Sequence, residues 1–172
     1  MRWPTGLISA ARSSVRTEPV ELRDILPTFL QAAEAPSHSE LDGRSLLDLA
    51  AGKSANWRPW IDLEHNICYD AANNWNALTD GKQKYIFHAR DGEEQFFDLA
   101  SDPSEFTDLA GNAASDADLR RWRGRMLDHL SERGECNVAG GKLAVRPKGI
   151  MTSPHFPGYP KNPLRPGTPS PF

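Results

Sequence analysis

The sequence predicts an α+β fold in which a small antiparallel β-sheet packs against one long helix, with a proline-rich extended tail behind it. Three observations lead to this prediction. Between residues 75 and 99, three short apolar and aromatic runs are separated by Asp-Gly pairs, which readily form hairpin turns. Between residues 115 and 133, apolar residues recur at helical spacing. After residue 146, eight of 26 residues are proline, which neither a helix nor a central strand accommodates.

The predicted sheet extends from about Trp60 to Leu99. β-Branched and aromatic residues favour strands, and Pro103 ends the sheet because it lacks the N–H that a ladder needs. Residues 143–145 are a candidate for an additional strand of the same sheet. The predicted strands are an extended segment over Trp57–Tyr69, in which apolar and polar residues alternate from Ile61, followed by Trp75–Thr79, Lys84–His88 and Gln95–Leu99.

Apolar periodicity also predicts the helices. A first helix around residues 22–33 should begin near Asp24 with Pro27 in its first turn, and a short helix should follow before residue 52. The clearest helix is Ser115–Arg133, where Ser115 and Asp118 have the spacing of a capping box. Its apolar face should pack on the sheet, since helices and sheets each bury one apolar face. That face consists of Leu119, Trp122, Met126 and Leu130.

The composition of the 172 residues argues against several functions. No apolar run approaches the roughly 20 residues of a membrane span. Residues 135–172 carry a charge of +4 against −7 for the rest, but their basic residues stand among prolines without aromatic platforms, which argues against nucleic-acid binding. The two cysteines, Cys68 and Cys136, predict unpaired thiols, and the five histidines lack zinc-site spacing. No signal peptide is visible, so the compartment is left open.

Residues 75–110 point to a family. The stretch WNALTDGKQKYIFHARDGEEQFFDLASDPSEFTDLA resembles the C-terminal subdomain of the type I sulfatases, the arylsulfatase-like sulfate ester hydrolases of the alkaline-phosphatase superfamily. Four further segments match motifs of that family in the family's order. They are residues 2–4 (RWP), 20–30 (VELRDILPTFL), 41–46 (LDGRSL) and 141–147 (GKLAVRP).

The resemblance implies a division of the chain and a missing partner. It assigns residues 1–35 to a remnant of the catalytic domain, 36–146 to the sulfatase C-terminal subdomain and 147–172 to the tail. In the family, the formylglycine nucleophile and a Ca²⁺ or other divalent metal ion belong to a region upstream of this segment. Neither Cys68 nor Cys136 lies in the C-x-P/A-x-R motif of formylglycine formation. We therefore expect no catalytic residue, metal ligand or cofactor in this chain, and no sulfate ester hydrolysis by the chain alone.

Three residues are candidates for contacts with the substrate. The resemblance places the strand with Glu64 and His65 at the rim of the substrate cleft, and Trp75 is placed to stack on a sugar or aryl group. A half-exposed strand histidine beside a carboxylate, and a core tryptophan, are the structural alternatives. The expected partners are the sulfatase catalytic domain and a sulfate ester substrate, with neither nucleic acid nor membrane.

Two other functions stay open at this point. One is a non-catalytic α+β module that binds a partner through an apolar face, and the other is a fragment of a related phosphonate or phosphate monoester hydrolase. The sulfatase-fragment interpretation predicts an exposed apolar surface where the catalytic domain would dock. That surface should include Trp3, Leu7, Ile8 and the Ile25–Phe29 side of the first helix, with the three candidate substrate residues toward the same side.

Overall fold

The structure, a computed structural model, describes residues 15–36, 40–53, 55–65, 73–134 and 136–146. Its contacts divide the chain into two compact units, residues 1–61 and 62–172. The family resemblance implies domain limits after residues 35 and 146. These limits rest on sequence motifs and not on contacts, and they stay predictions. Among the described residues, no helix is both long enough and apolar enough to cross a bilayer.

In its described residues, the first unit contains two helices and a short 3-10 turn. These are the 3-10 turn Leu22–Asp24, helix α1 (Ile25–Ala32) and helix α2 (Leu46–Ala50). Helix α1 begins directly after Asp24 and carries Pro27 in its first turn, where the missing N–H of proline costs no helical hydrogen bond. The predicted late start is therefore confirmed. Helix α2 begins after Ser45, whose Oγ accepts a hydrogen bond from the N–H of Leu47 at 3.2 Å.

Asp24 is the polar centre of the first unit. Its buried carboxylate accepts hydrogen bonds from both Nη atoms of Arg58, at 2.7 and 2.6 Å, and from the backbone N–H groups of Glu21 and Arg44, at 2.9 and 2.8 Å. Burial raises the pKa of this carboxyl, but the hydrogen bonds and the charge of Arg58 outweigh burial and hold the pKa below its ordinary value. We call Asp24, Glu21, Arg44 and Arg58 the Asp24 cluster.

Gly43 allows two backbone segments of the first unit to approach closely. A Cβ atom at this position would lie 1.9 Å from the carbonyl oxygen of Arg23, so only glycine fits there. Thr28 adds a second link, because its Oγ1 donates to the carbonyl of Asp24 at 2.6 Å and accepts from the N–H of Leu46 at 2.9 Å. Together these contacts hold the start of α1 against the start of α2.

The 3-10 turn and α1 present an apolar face to solvent. Its side chains follow the i, i+3, i+4, i+7 spacing of one helical face. They are Leu22, Ile25, Leu26 and Phe29, with exposures of 83%, 39%, 53% and 62%. We call this set the α1 apolar face. It confirms the predicted exposure of this helix side, whereas Trp3, Leu7 and Ile8 lie outside the described residues.

The second unit is built on a four-stranded sheet with the order β1-β2-β3-β4. The strands are β1 (Ile61–His65), β2 (Trp75–Thr79), β3 (Gln83–His88) and β4 (Glu94–Asp98). Strand β3 pairs antiparallel with both β2 and β4. Gly81 and Gly92 have φ angles of 85° and 83° in the two connecting turns, as the Asp-Gly pairs predicted. The predicted fold class is confirmed, with β3 and β4 each starting one residue early.

Helix α3 (Asp116–Ser131) packs on β2 and β3. The four side chains predicted to face the sheet are all buried, and Trp122 is 0% exposed. Gln83 ties the helix to the sheet, because its Oε1 accepts from Nε1 of Trp122 at 2.8 Å and its Nε2 donates to Asp118 at 2.8 Å. The polar edge of this core tryptophan is therefore satisfied, as burial requires.

The predicted capping box at the start of α3 is wrong. Ser115 has helical φ and ψ angles, and its side chain accepts no capping hydrogen bond. Asp118 instead receives Nε2 of Gln83 and forms an ion pair with Arg121 at 2.5 Å. The side chain of Asn112 caps the preceding 3-10 turn by accepting from the N–H of Ala114 at 3.0 Å. The shorter aspartate thus contacts the sheet and the next turn of its own helix, and it does not cap the helix.

The candidate strand at residues 143–145 does not join the main sheet. Strands β5 (Val138–Ala139) and β6 (Lys142–Leu143) form a separate two-stranded sheet around the Gly140-Gly141 turn. With two residues each, they pair with each other and with no further strand in the described part of the chain. The chain returns to the main sheet at Arg146, whose backbone N–H donates to the carbonyl of Ala89.

Candidate functional site

The sheet separates the predicted pair Glu64–His65. Consecutive side chains of a strand point to opposite faces, and the contacts of the two residues follow that rule. Oε2 of Glu64 lies 3.5 Å from Nδ2 of Asn76, while the ring of His65 stacks on that of Trp75. Because Asn76 and Trp75 are themselves consecutive, the two contacts lie on different faces of the sheet. The structure therefore brings His65 and Trp75 together and places Glu64 elsewhere.

His65 and Trp75 form a stacked pair at the start of β2. Their ring centroids are 5.9 Å apart, with 25° between the ring planes. Nδ1 of His65 lies 3.0 Å from the carbonyl oxygen of Asn73, and because a carbonyl only accepts, Nδ1 carries the proton. No described residue hydrogen-bonds Nε2 of this exposed ring. A neutral His65 can thus offer a lone pair at Nε2, and a protonated His65 can offer a second N–H.

The stacked pair continues across the sheet. Trp75 lies opposite His88 in the β2–β3 register, and Nε2 of His88 is 2.9 Å from Oε1 of Gln95 on β4. The half-buried side chains of Trp75, His88 and Gln95 form a line across β2, β3 and β4. His65 extends this line to β1. We call His65, Trp75, His88 and Gln95 the histidine–tryptophan row. Such a row combines an aromatic surface with several hydrogen-bonding groups.

His88 and Gln95 were not among the site residues predicted from the sequence. The sequence did contain a signal for His88, because a hairpin turn at Asp80-Gly81 determines which residues of the two flanking strands lie opposite each other. The observed register pairs Trp75 with His88 at one end and Thr79 with Lys84 at the other. Strand boundaries uncertain by one residue would shift this register and move His88 to the other face.

Glu64 belongs to a charge network at the end of α3. Its carboxylate contacts Nη1 of Arg133, and Nη2 of Arg133 lies 3.3 Å from Asp62. Nε2 of His129 is 3.5 Å from the same Asp62 oxygen. These contacts hold β1 against the last turn of α3. The substrate-binding roles of Glu64, His65 and Trp75 stay predictions.

A second ionic cluster lies between α3 and the sheet. Oη of Tyr85 donates to Glu94 at 2.5 Å, and Nε and Nη2 of Arg123 donate to the same carboxylate at 2.6 and 2.5 Å. Burial and the adjacent carboxylate strongly raise the pKa of Tyr85. For Glu94, burial raises the pKa, but Arg123 and Tyr85 outweigh it and leave the pKa lowered. The phenol stays protonated and the carboxylate ionised, so the cluster ties the helix to the sheet.

The described residues do not fit a metal ion. In that part of the chain, no group of three or more His, Cys, Asp or Glu side chains could hold one. The Ca²⁺ that the resemblance implies for complete family members therefore has no ligand set among these described residues. Cys136 is exposed and makes no disulfide, and Cys68 lies outside the described residues.

Comparison with known proteins identifies the family. Residues 1–132 match the family described as N-sulphoglucosamine sulphohydrolase, C-terminal. An arylsulfatase of Clostridium perfringens is 33% identical over 140 residues, which cover 81% of this chain and 28% of the relative. A protein of Trinickia caryophylli, the multifunctional alkaline phosphatase superfamily protein PehA, is 30% identical over 146 residues, covering 77% of this chain and 28% of the relative. The chain thus spans a little over a quarter of the length of these relatives.

A solved structure supports the same assignment at the level of the fold. A putative sulfatase from Bacteroides thetaiotaomicron superposes with a TM-score of 0.60 at 22% identity, over 72% of this chain and 27% of that protein. The sheet and helix described above are therefore the fold of a sulfatase C-terminal region. The chain belongs to the N-sulphoglucosamine sulphohydrolase C-terminal family, within the sulfatases of the alkaline-phosphatase superfamily.

Proposed function

We propose that this chain is the C-terminal part of a sulfatase that hydrolyses sulfate esters, and that it has no hydrolytic activity by itself. The observation that carries the proposal is the match of residues 1–132 to a sulfatase C-terminal family in a chain spanning 28% of its relatives. The nucleophile and the metal site then belong to a catalytic domain that this part of the protein must contact.

Within that assembly, this chain would contribute binding rather than bond cleavage. His65 is oriented by its Nδ1–H bond to Asn73, so its Nε2 is available to a hydroxyl or ester oxygen of the substrate. Trp75 offers an aromatic surface beside it. Formylglycine and the metal ion of the family would supply the nucleophile and the Lewis acid. Glu64 would act through Arg133 by holding β1 in place.

An assay of the purified 172-residue chain tests the first part. With an aryl sulfate and added Ca²⁺, we expect hydrolysis no faster than in buffer, because loss of nucleophile and metal removes the main transition-state stabilisation. Turnover that disappears on mutation of a residue in this chain would contradict the proposal.

A chimera tests the binding role. This chain would replace the matched region of the Clostridium perfringens arylsulfatase, and aryl sulfate hydrolysis would be compared with that of the enzyme lacking the region. In the active chimera, His65→Ala and Trp75→Ala should each raise KM about two- to tenfold, as loss of one aromatic or hydrogen-bonding contact does. Phe106→Ala, an exposed aromatic residue outside the row, is the matched control. Unchanged kcat/KM in both row variants would refute a substrate contact.

One observation favours a second candidate reaction. PehA, which is 30% identical over 77% of this chain, is described as multifunctional, and a phosphonate or phosphate monoester is the alternative substrate class. Aryl phosphate and phosphonate monoesters should therefore be assayed beside the aryl sulfate in the same chimera. A preference for either phosphorus ester that follows the grafted chain would replace the sulfatase assignment.

A further inference from the structure

We propose that a groove in the first unit binds a free α-amino acid. The groove has a volume of about 690 Å³, and its lining lies within residues 27–57. Helices α1 and α2 both contribute to it, so we call it the α1–α2 groove. The inference does not depend on the proposed sulfatase activity. Two features carry it: a strained acidic residue just after α1, and two opposite charges on the lining that do not pair with each other.

Glu34 lies on this groove in a backbone conformation that favours glycine. Its φ angle is 53°, in the left-handed region. The N–H of Ala35 donates to the carbonyl of Leu30 at 2.9 Å, and the N–H of Glu34 donates to the carbonyl of Gln31 at 3.2 Å. These are the two hydrogen bonds of a Schellman motif, in which glycine usually occupies the position of Glu34. Glu34 therefore carries backbone strain that glycine would remove, and such strain is concentrated at functional sites.

The carboxylate of Glu34 is available to a ligand. Among the described residues, the other non-glycine residue with a positive φ angle is Glu105, whose carboxylate accepts hydrogen bonds from Nζ of Lys84 at 3.0 and 2.8 Å. The side chain of Glu34 forms no ion pair or hydrogen bond within the described part of the chain. At Glu105 the strained position supports an ion pair, whereas at Glu34 it leaves a negative charge on the groove.

Arg44 places a positive charge on the same groove. Its Nη1 donates to the carbonyl oxygen of Asn56, which carries no charge, and its guanidinium forms no ion pair with the described residues. The other two charged side chains of the described lining neutralise each other, because Nζ of Lys53 lies 3.4 Å from Oδ1 of Asp48. The groove therefore presents one anion and one cation that are not neutralised by protein groups.

A free α-amino acid matches these two charges. Its carboxylate can accept two parallel N–H bonds from the guanidinium of Arg44, and its ammonium group can donate to the carboxylate of Glu34. A ligand with only one charge would leave one of the two residues without a partner. An apolar amino-acid side chain would contact the apolar part of the lining, which consists of Pro27, Leu30 and Trp57. The indole of Trp57 is held in place, because its Nε1 donates to the carbonyl of Pro19 at 2.8 Å.

Isothermal titration calorimetry of the full 172-residue chain tests the inference. L-Leucine and L-phenylalanine, two amino acids with apolar side chains, should each bind with one molecule per chain. N-Acetyl-L-leucine lacks the ammonium group and L-leucinamide lacks the carboxylate, so each should bind about tenfold or more weakly, as expected for loss of one charge-assisted hydrogen bond. No binding of either amino acid at about 10 mM would overturn the inference. Equal affinity for L-leucine and one of its two derivatives would also overturn it.

Substitution of the two charged residues tests whether the binding occurs in the groove. Glu34→Gln and Arg44→Gln should each weaken the binding of L-leucine about tenfold or more, because each removes one charged partner. Glu105→Gln is the matched control, since it changes the other glutamate with a positive φ angle, and it should bind L-leucine like the wild type. Glu34→Gly should lose binding to the same extent and raise the urea midpoint of unfolding, because glycine relieves the left-handed backbone. Wild-type affinity for L-leucine in Glu34→Gln or Glu34→Gly would overturn the inference.

Discussion

Replacing Asp24 with asparagine tests whether the Asp24 cluster stabilises the first unit. The side chain keeps its shape, but one carboxylate oxygen becomes an NH₂ group that faces an N–H donor. Arg58, whose side chain is only 11% exposed, keeps its charge and loses its carboxylate partner. Removing one partner of a buried ion pair typically costs about 3–5 kcal/mol. Oε1 of Glu21 is 3.4 Å from Nη1 of Arg58 and compensates in part, so we expect about 3 kcal/mol, the lower end of that range.

Urea unfolding at neutral pH measures this loss. Trp57 reports on the first unit, because its Nε1 donates to the carbonyl of Pro19 at 2.8 Å. Lys53→Ala is the matched control: it breaks the Lys53–Asp48 pair, in which the lysine side chain is 73% exposed and the N–O distance is 3.4 Å. The control should cost less than about 1 kcal/mol. A loss below about 1 kcal/mol for Asp24→Asn as well would refute a stabilising role for the cluster.

The pH dependence of stability gives an independent check on the same residue. The pKa of Asp24 in the folded chain lies below the ordinary value of 3.8, so the ionised carboxylate stabilises the fold above that value. The stabilisation is lost as the pH falls from there through the folded pKa. The difference in unfolding free energy between wild type and Asp24→Asn should stay constant above about pH 5 and shrink below about pH 4. A difference that grows on acidification would contradict this assignment.

Other substitutions probe the remaining contacts. Gly43→Ala forces a Cβ onto a backbone carbonyl and should lower the free energy of unfolding in urea by about 1–3 kcal/mol or more. Gly124→Ala in α3, where a Cβ would meet nothing within 4 Å beyond its chain neighbours and the helix backbone, should be neutral or stabilising by up to about 1 kcal/mol. Gln83→Leu leaves the indole N–H of Trp122 without its acceptor and should lower stability by about 1–3 kcal/mol in a thermal melt. If the α1 apolar face docks a catalytic domain, the isolated chain should self-associate in light scattering and Phe29→Glu should reduce that association; a monomeric wild type would refute it.

The strands and the long helix of the second unit could be predicted from the sequence because they depend on local sequence patterns. Each Asp-Gly pair fixes a turn, and each turn fixes the pairing of the strands beside it. The same holds for α3, where apolar periodicity alone identifies the side chains that face the sheet. The capping-box prediction was wrong because the side chain of Asp118 had two possible partners. A tertiary contact with Gln83 took precedence over the local one with Ser115.

Only part of the candidate site could be predicted from the sequence, because the site depends on contacts between strands. Glu64 and His65 are neighbours in sequence, which made them a natural pair, yet strand alternation places them on different faces. The neighbour that His65 does have, Trp75, is ten positions away. His88 joins the row through a register that shifts with a one-residue change in strand boundaries.

The motifs that carry the family resemblance explain why the family was clear from the sequence and the site was not. The segments VELRDILPTFL and LDGRSL meet in the first unit, where Asp24 accepts the N–H of Arg44 and Thr28 accepts the N–H of Leu46. Gly43 is the position at which the two backbones touch. A buried carboxylate, a close approach of two backbones and a helix start require these residue types, and these requirements do not depend on the substrate of a family member. Family members with different substrates can therefore share them, and under the proposed function the residues that set the substrate should be sought on surfaces such as the histidine–tryptophan row.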